Sequence, residues 1–174
     1  LDGNTEVQER LAAGASVNVY GWLGGSNTLG NLANPSWFST GIDVTFLLDE
    51  ALPAQGLAGL LDPVVFGNGF EELRFSVADS DGILIEQIFT DLALAMAFFD
   101  DTVLDLGGLG GAGGPHVGEF RFKMDLMLQD GGDGFYMNFL GATSPVAGPP
   151  GLVLLLTGMV ALGLRARSVT RARR

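Results

Sequence analysis

Aspartates in two glycine-rich turns are the side chains whose type and spacing best suit ligand chemistry. Asp79 lies two residues before Asp81, and Asp130 lies three residues before Asp133. Hard oxygen ligands clustered on a tight turn are what Ca²⁺ requires, so these four are candidate calcium ligands. Neither turn matches an EF-hand loop, and aspartates in turns more often bind only the backbone. We therefore expect these aspartates to bind backbone groups and the protein to need no cofactor. Calcium is the one candidate cofactor.

Groups suited to catalysis are few. The chain has no cysteine and a single histidine, His116, which excludes thiol catalysis and Cys-ligated zinc. A lone histidine flanked by glycine and proline fits a surface loop better than a catalytic triad. Glu71, Glu72 and Glu119 could supply the paired carboxylates of a glycosidase, but their spacing does not select them from the twenty acidic residues. We expect a non-catalytic protein, with a secreted carbohydrate-active enzyme as the alternative.

Aromatic residues form the second candidate binding group. Tyr20 and Trp22 stand two apart in an alternating run, so on a strand they share a face about 7 Å apart. Together with Trp37 they could stack on sugar rings, since Tyr and Trp combine an apolar face with a polar edge. The alternative is that Tyr20 and Trp22 face the hydrophobic core, as large aromatics usually do. We expect the core placement.

Charge is distributed very unevenly along the chain. Residues 1–144 hold all twenty acidic and four of the nine basic residues, a net charge of −16. A domain this acidic repels phosphate backbones, so we expect no nucleic-acid partner. Its acidity suits an exported protein. No signal-peptide pattern opens the chain, and we expect an export signal to have been lost or omitted.

Alternating hydrophobic residues predict a β-rich domain. Short runs of period two, separated by Gly-, Asn-, Asp- and Pro-rich turns, are typical of an antiparallel sandwich or jelly roll. The clearest runs are 15–22, 42–48, 72–78 and 119–128. We predict one all-β domain over residues 15–141, preceded by a short helix or loose arm at 1–14.

The glycine-rich turn after the run 119–128 predicts the partner of that run. Residues 119–128 alternate strictly, Gln-Asp-Gly-Gly-Asp-Gly follows, and 135–140 resumes the pattern. A glycine-rich turn between two alternating runs predicts a β-hairpin. We therefore predict that 119–128 and 135–140 pair with each other.

One stretch is ambiguous between strand and helix. Residues 83–99 contain leucines that alternate with alanines, as in a strand, whereas Thr90 or Asp91 could cap a helix. We favour a strand. Residues 107–114 are almost entirely glycine and predict a flexible connection.

The C-terminal region is hydrophobic and then basic. Residues 134–164 carry no charge, and 151–164 form an apolar run that would make a helix about 21 Å long. Five arginines follow in the basic tail 165–174, and such clusters mark the cytoplasmic side of a membrane helix. They are Arg165, Arg167, Arg171, Arg173 and Arg174. We predict a linker at 142–150 and a membrane helix at 151–164, with a buried core helix as the alternative.

A proline-containing motif, a hydrophobic helix and a basic C-terminus together resemble the PEP-CTERM sorting signal of exosortase substrates. The motif corresponds to Val146, Pro149 and Pro150, and the glutamate typical of the family is absent. The resemblance covers about the last thirty residues.

The resemblance implies a Gram-negative bacterium and an exosortase-type processing enzyme as partner. It implies export to an inner-membrane intermediate, cleavage at the motif, and release to the cell surface or extracellular matrix. Association with exopolysaccharide, as in a biofilm matrix, is a further implication. The alternatives are a carbohydrate-binding module and an uncleaved single-span membrane protein.

Overall fold

The computed structural model describes residues 4–48, 54–109 and 116–145. Within these ranges the chain forms two short helices and eight strands. The helices are α1 (Thr5–Ala12) and α2 (Leu92–Phe99). The strands are β1 (Ser16–Ser26), β2 (Ser36–Leu48), β3 (Ala54–Phe66), β4 (Glu72–Ala78), β5 (Ile83–Phe89), β6 (Thr102–Leu109), β7 (His116–Leu128) and β8 (Gly134–Pro145).

The strands form two antiparallel sheets of four. The first sheet has the order β1-β8-β3-β6, and the second has the order β2-β7-β4-β5. The mostly β architecture predicted from the alternating runs is confirmed. β8 runs to Pro145, four residues beyond the predicted end of the domain.

The core lies between the sheets and is rich in phenylalanine. Phe122 of β7 stacks on Phe139 of β8 with ring centroids 5.2 Å apart. The alternation predicted for 72–78 and 119–128 is confirmed, because one parity of each strand is buried. These inward residues are Leu73, Phe75, Val77, Phe120, Phe122, Met124, Leu126 and Leu128.

The predicted hairpin between 119–128 and 135–140 is wrong. Both segments are strands, but β7 pairs with β2 and β4, whereas β8 pairs with β1 and β3. The intervening turn crosses from one sheet to the other. Each strand carries one fully apolar face, and placing the strands in opposite sheets lets those two faces pack against each other.

The ambiguous stretch divides into β5 and α2. The strand favoured for its second half is wrong, and the helix alternative is correct. Asp91 is the N-cap of the helix, since its Oδ1 accepts a hydrogen bond of 3.1 Å from the backbone N–H of Leu94. Phe99 lies edge-on to Phe75 of the second sheet at 5.3 Å and contacts Phe135 of the first at 5.4 Å. The helix therefore contributes core side chains to both sheets.

The N-terminal segment is a helix packed on the outer face of the first sheet. Val7 of α1 is buried with Leu61 of β3 and Leu140 of β8. The carboxylate of Asp101 accepts hydrogen bonds from the backbone N–H groups of Glu6 and Val7, at 2.9 and 3.3 Å. Part of this sheet's outer face, around Leu61 and Leu140, is thus covered by the chain itself.

Several predictions concern residues at or beyond the edges of the described ranges. His116 is the first residue of β7, opposite Leu48, and not part of a loop. Of the glycine-rich segment, 107–109 belong to β6, and 110–115 lie outside the described residues. Neither α1 nor α2, the helices of the described part, is long and apolar enough to cross a bilayer. The predicted linker from 146, the hydrophobic helix and the basic tail lie outside the described residues.

Candidate functional site

Tyr20 and Trp22 lie on the outer face of the first sheet, and each is 62% exposed. The expected core placement is wrong. Their neighbours of the opposite parity, Gly21 and Leu23, face inward instead. A Cβ on Gly21 would lie 2.7 Å from Cε1 of Phe139, so the glycine leaves room for that core ring. The two large aromatics are consequently left in solvent.

Two further aromatics extend this exposed group across the sheet. Trp22 of β1 lies 5.7 Å from Tyr136 of β8, and Tyr136 lies 5.4 Å from Phe66 of β3, measured between ring centroids. Phe66 is 45% exposed. Tyr20, Trp22, Phe66 and Tyr136 are named the aromatic strip below.

Sequence reasoning missed Phe66 and Tyr136, although a signal for Tyr136 was present. It stands between Phe135 and Met137, so its parity on β8 is opposite to that of the core residues. Gly24 lies directly opposite Tyr136. A Cβ at Gly24 would lie 2.7 Å from Cδ1 of that ring, so only glycine there lets Tyr136 lie close to β1.

Polar but uncharged groups border the aromatic strip. Asn18 donates from Nδ2 to Oγ1 of Thr143 at 3.0 Å. The hydroxyls of Ser26 and Tyr136 lie 3.4 Å apart, and Asn138 stands opposite Trp22 in the register. β1 and β8 contain no charged residue. This part of the face offers aromatic rings, amides and hydroxyls, and the charged residues of the sheet are the exposed Asp62 of β3 and Asp105 of β6.

Trp37 does not join the other two candidate aromatics. It lies on β2, on the outer face of the second sheet, and is 46% exposed. The guanidinium carbon of Arg74 sits 4.6 Å from the centre of its ring, a cation–π contact. Arg74 also pairs with Glu72 at 2.6 Å. Sequence reasoning named Trp37 as a candidate for sugar stacking but could not tell which sheet would carry it.

The outer face of the second sheet is charged. Arg121 donates two hydrogen bonds to Asp43, at 2.6 and 3.2 Å, and Lys123 pairs with Asp125 at 2.7 Å. The hydrogen bond from Arg121 lowers the pKa of Asp43, and the same bond raises the pKa of Arg121. The two outer faces therefore differ in chemistry.

The candidate glycosidase carboxylates are not brought together. Glu72 lies opposite Met127 of β7, and the backbone N–H of Glu71 donates to the carbonyl oxygen of Met127. Glu119 lies eight positions away along β7, roughly 26 Å at the rise of a strand. Paired carboxylates in glycosidases lie within about 10 Å of each other. Glu119 therefore cannot act with Glu71 or Glu72 as such a pair.

Two of the four candidate calcium ligands, Asp79 and Asp133, bind backbone N–H groups through their carboxylates. Oδ1 of Asp79 accepts from the N–H groups of Asp81 and Gly82 at 2.8 and 3.0 Å. Asp133 is buried, and its Oδ1 accepts from the N–H of Asn68 at 2.7 Å. Asp130 accepts at its carbonyl oxygen from Nδ2 of Asn27. Across the described ranges, no group of three or more histidines and acidic residues is placed to hold a metal ion.

The sorting residues cannot be placed. Val146, Pro149, Pro150 and the five arginines of the tail lie outside the described residues.

Comparison with known proteins adds little. No family model matches this chain, and no curated protein matches it. Among solved structures, a chain of the "Structure of infectious bursal disease virus Gt strain" is 12% identical, with 87% of this chain and 49% of that chain covered and a TM-score of 0.14. The protein thus spans about half the length of that viral chain, and so low a TM-score supports no conclusion about fold or function.

Proposed function

We propose that this chain is a non-catalytic, exported protein of the cell surface or extracellular matrix, sorted through its C-terminal segment. The observation that carries the proposal is the sequence pattern of that segment, in which Pro149 and Pro150 precede an uncharged run over 151–164 and arginines follow directly. β8 is a central strand, paired with β1 and β3, and its last residue, Pro145, lies opposite Ala54. The motif begins one residue later, at Val146.

Cleavage within 146–150 would keep every described helix and strand in the mature protein, since all of them lie at or before Pro145. A proline disfavours helix at the residue before it, so the sequence around Pro149 and Pro150 favours an extended substrate for an exosortase-type enzyme.

The remainder of the C-terminal segment supports a membrane intermediate. An uncharged run over 151–164 is followed directly by arginines, which the positive-inside rule assigns to the cytoplasmic side. The run is shorter than a bilayer core of about 30 Å, but arginine side chains can reach the interface along their apolar stems. The domain itself then lies on the far side of the membrane, where association with exopolysaccharide becomes possible.

The test replaces the five tail arginines with glutamate in a host that carries an exosortase. Reversing the charge removes the cytoplasmic retention signal, so we expect weaker membrane retention and loss of processing, measured by fractionation and immunoblotting. The matched control replaces the same five arginines with lysine, which keeps the charge and should be processed normally. If the glutamate variant is processed as efficiently as the lysine variant, the sorting proposal is wrong. If neither variant nor the wild type is ever shortened, the chain is an uncleaved single-span protein.

A further inference from the structure

We propose that the aromatic strip on the first sheet is a binding surface for a neutral glycan, whose sugar rings stack on Trp22 and Phe66 on either side of Tyr136. This inference goes beyond sorting, because it concerns the face of the folded domain and holds whether or not the C-terminal segment is cleaved.

Trp22 and Phe66 are exposed, and the half-buried Tyr136 lies between them. Tyr136 contacts Trp22 with the ring planes inclined at 49° and meets Phe66 edge-on at 80°, and its hydroxyl lies near that of Ser26. Rings held by their neighbours lose little conformational freedom when a ligand binds, which favours affinity. The three rings lie on adjacent strands, so Trp22 and Phe66 offer two stacking positions that an elongated ligand can span.

Charge selects among the ligands that stack on aromatic rings. Nucleic-acid bases also stack on such surfaces, but the acidic domain repels their phosphates and neither β1 nor β8 offers a cation to pair with them. The same reasoning disfavours acidic polysaccharides. A neutral sugar chain carries no such penalty, and its hydroxyls can bond with the amide and hydroxyl groups that border the strip.

The area of the strip distinguishes a glycan from a second copy of the chain. Tyr20 and Trp22 are 62% exposed and Phe66 is 45% exposed. At about 150–250 Å² for each aromatic side chain, they present on the order of 400 Å². A stable protein interface buries about 800 Å² on each partner, and α1 already covers the neighbouring part of this face. The exposed patch is small for a dimer but large enough for several sugar rings.

Affinity electrophoresis of the full chain tests the inference, in a non-ionic detergent without a sugar headgroup. Native gels are cast with hydroxyethylcellulose, with mannan or with alginate, and retardation is measured as a function of polysaccharide concentration. We expect retardation by at least one of the two neutral polymers and none by the acidic alginate. Trp22→Ala should weaken binding about tenfold. Trp37→Ala is the matched control, a similarly exposed tryptophan on the opposite sheet, and should bind like the wild type.

Three results would overturn the inference. One is the absence of retardation by both neutral polymers. Another is stronger retardation by alginate than by the neutral gels, or an equal effect of the Trp22 and Trp37 substitutions, since either result shows that the retardation does not depend on the uncharged strip. The third comes from analytical ultracentrifugation: a dimer that Trp22→Ala abolishes would show that the strip binds a second copy instead. Circular dichroism of both variants confirms that each is folded.

Discussion

At the scale of single residues, Asn27 joins two backbone segments at one end of the sandwich. Its side chain is fully buried. Nδ2 donates to the carbonyl oxygens of Gly30 at 2.8 Å, Asp130 at 3.0 Å and Gln129 at 3.4 Å. Oδ1 accepts from the N–H of Leu29 at 2.9 Å. One amide thus fixes the loop after β1 against the turn that carries the chain from the second sheet to the first.

Replacing Asn27 with alanine should destabilise the protein substantially. The substitution removes four hydrogen bonds to partly buried backbone groups, which costs about 1–3 kcal/mol. Urea denaturation measures the free energy of unfolding. The control is Asn18→Ala, which removes an exposed amide with one side-chain partner and should change stability by about 0.5 kcal/mol or less. Equal losses in the two variants would contradict this role of Asn27.

Asp105 provides a prediction of pH dependence. Hydrogen bonds from the side chain of Gln55 and from the backbone N–H of Gly107 lower its pKa. Because the pKa is lower in the folded state, the hydrogen bonds to the ionised Asp105 carboxylate stabilise the fold, and this contribution is fully present above the unfolded-state pKa. The contribution is lost as pH falls through the folded-state pKa.

The titration of Asp105 should respond to Gln55→Ala. Removing the amide donor should raise the pKa of Asp105 towards its ordinary value of about 3.9. Carboxyl-detected NMR titration measures it, and Asp43, which is paired with Arg121, serves as the internal control. If both aspartates shift equally, or neither shifts, the hydrogen bond from Gln55 is not the main cause.

At the scale of elements, α1 depends on a residue that is distant in the sequence. Asp101 adopts a positive φ of 53° and directs its carboxylate to the first turn of the helix. Asparagine tolerates the same backbone conformation, so Asp101→Asn removes the charge and one acceptor without adding strain. We expect a loss of about 0.5–1 kcal/mol and faster hydrogen exchange of the α1 amides. Asp100→Asn, at the exposed neighbouring aspartate, should leave that exchange unchanged.

The alternation of residues predicted where strands lie but not which sheet they join. In β7 and β8, parity separates the core side chains from the outer ones correctly. However, the same glycine-rich turn can close a hairpin or carry the chain between sheets. The choice depends on partners distant in sequence, above all β1 and β3. Local sequence contains no information about those partners.

β3 was not predicted and α2 was misread, because burial on all sides removes periodicity. β3 lies between the core and α1, so residues of both parities are buried over 54–61 and no alternation marks it as a strand. α2 contributes to a core shared by both sheets, and its leucines and alanines alternate by chance at period two. In α2 the informative signal was the capping residue, Asp91.

At the scale of the whole molecule, the two outer faces have different chemistry. The second sheet presents ion pairs and a tryptophan covered by Arg74, whereas the first presents the uncharged aromatic strip. Sequence reasoning singled out Tyr20 and Trp22 but placed them in the core, because large aromatic side chains are usually buried. The alternation along β1 alone did not show which of its two faces lies inward. Sequence reasoning also grouped them with Trp37, since position along the chain does not reveal that β1 and β2 belong to opposite sheets.

The mass of the exported protein's C-terminal peptide tests the central claim, that the chain is cleaved at a sorting motif within 146–150. The protein is recovered from the surface or medium of a Gram-negative host that carries an exosortase, digested, and analysed by mass spectrometry. Because the residues that resemble the family's motif, Val146, Pro149 and Pro150, lie in this range, we predict a C-terminal residue within 146–150. An exported protein that still ends at Arg174 would contradict the sorting account.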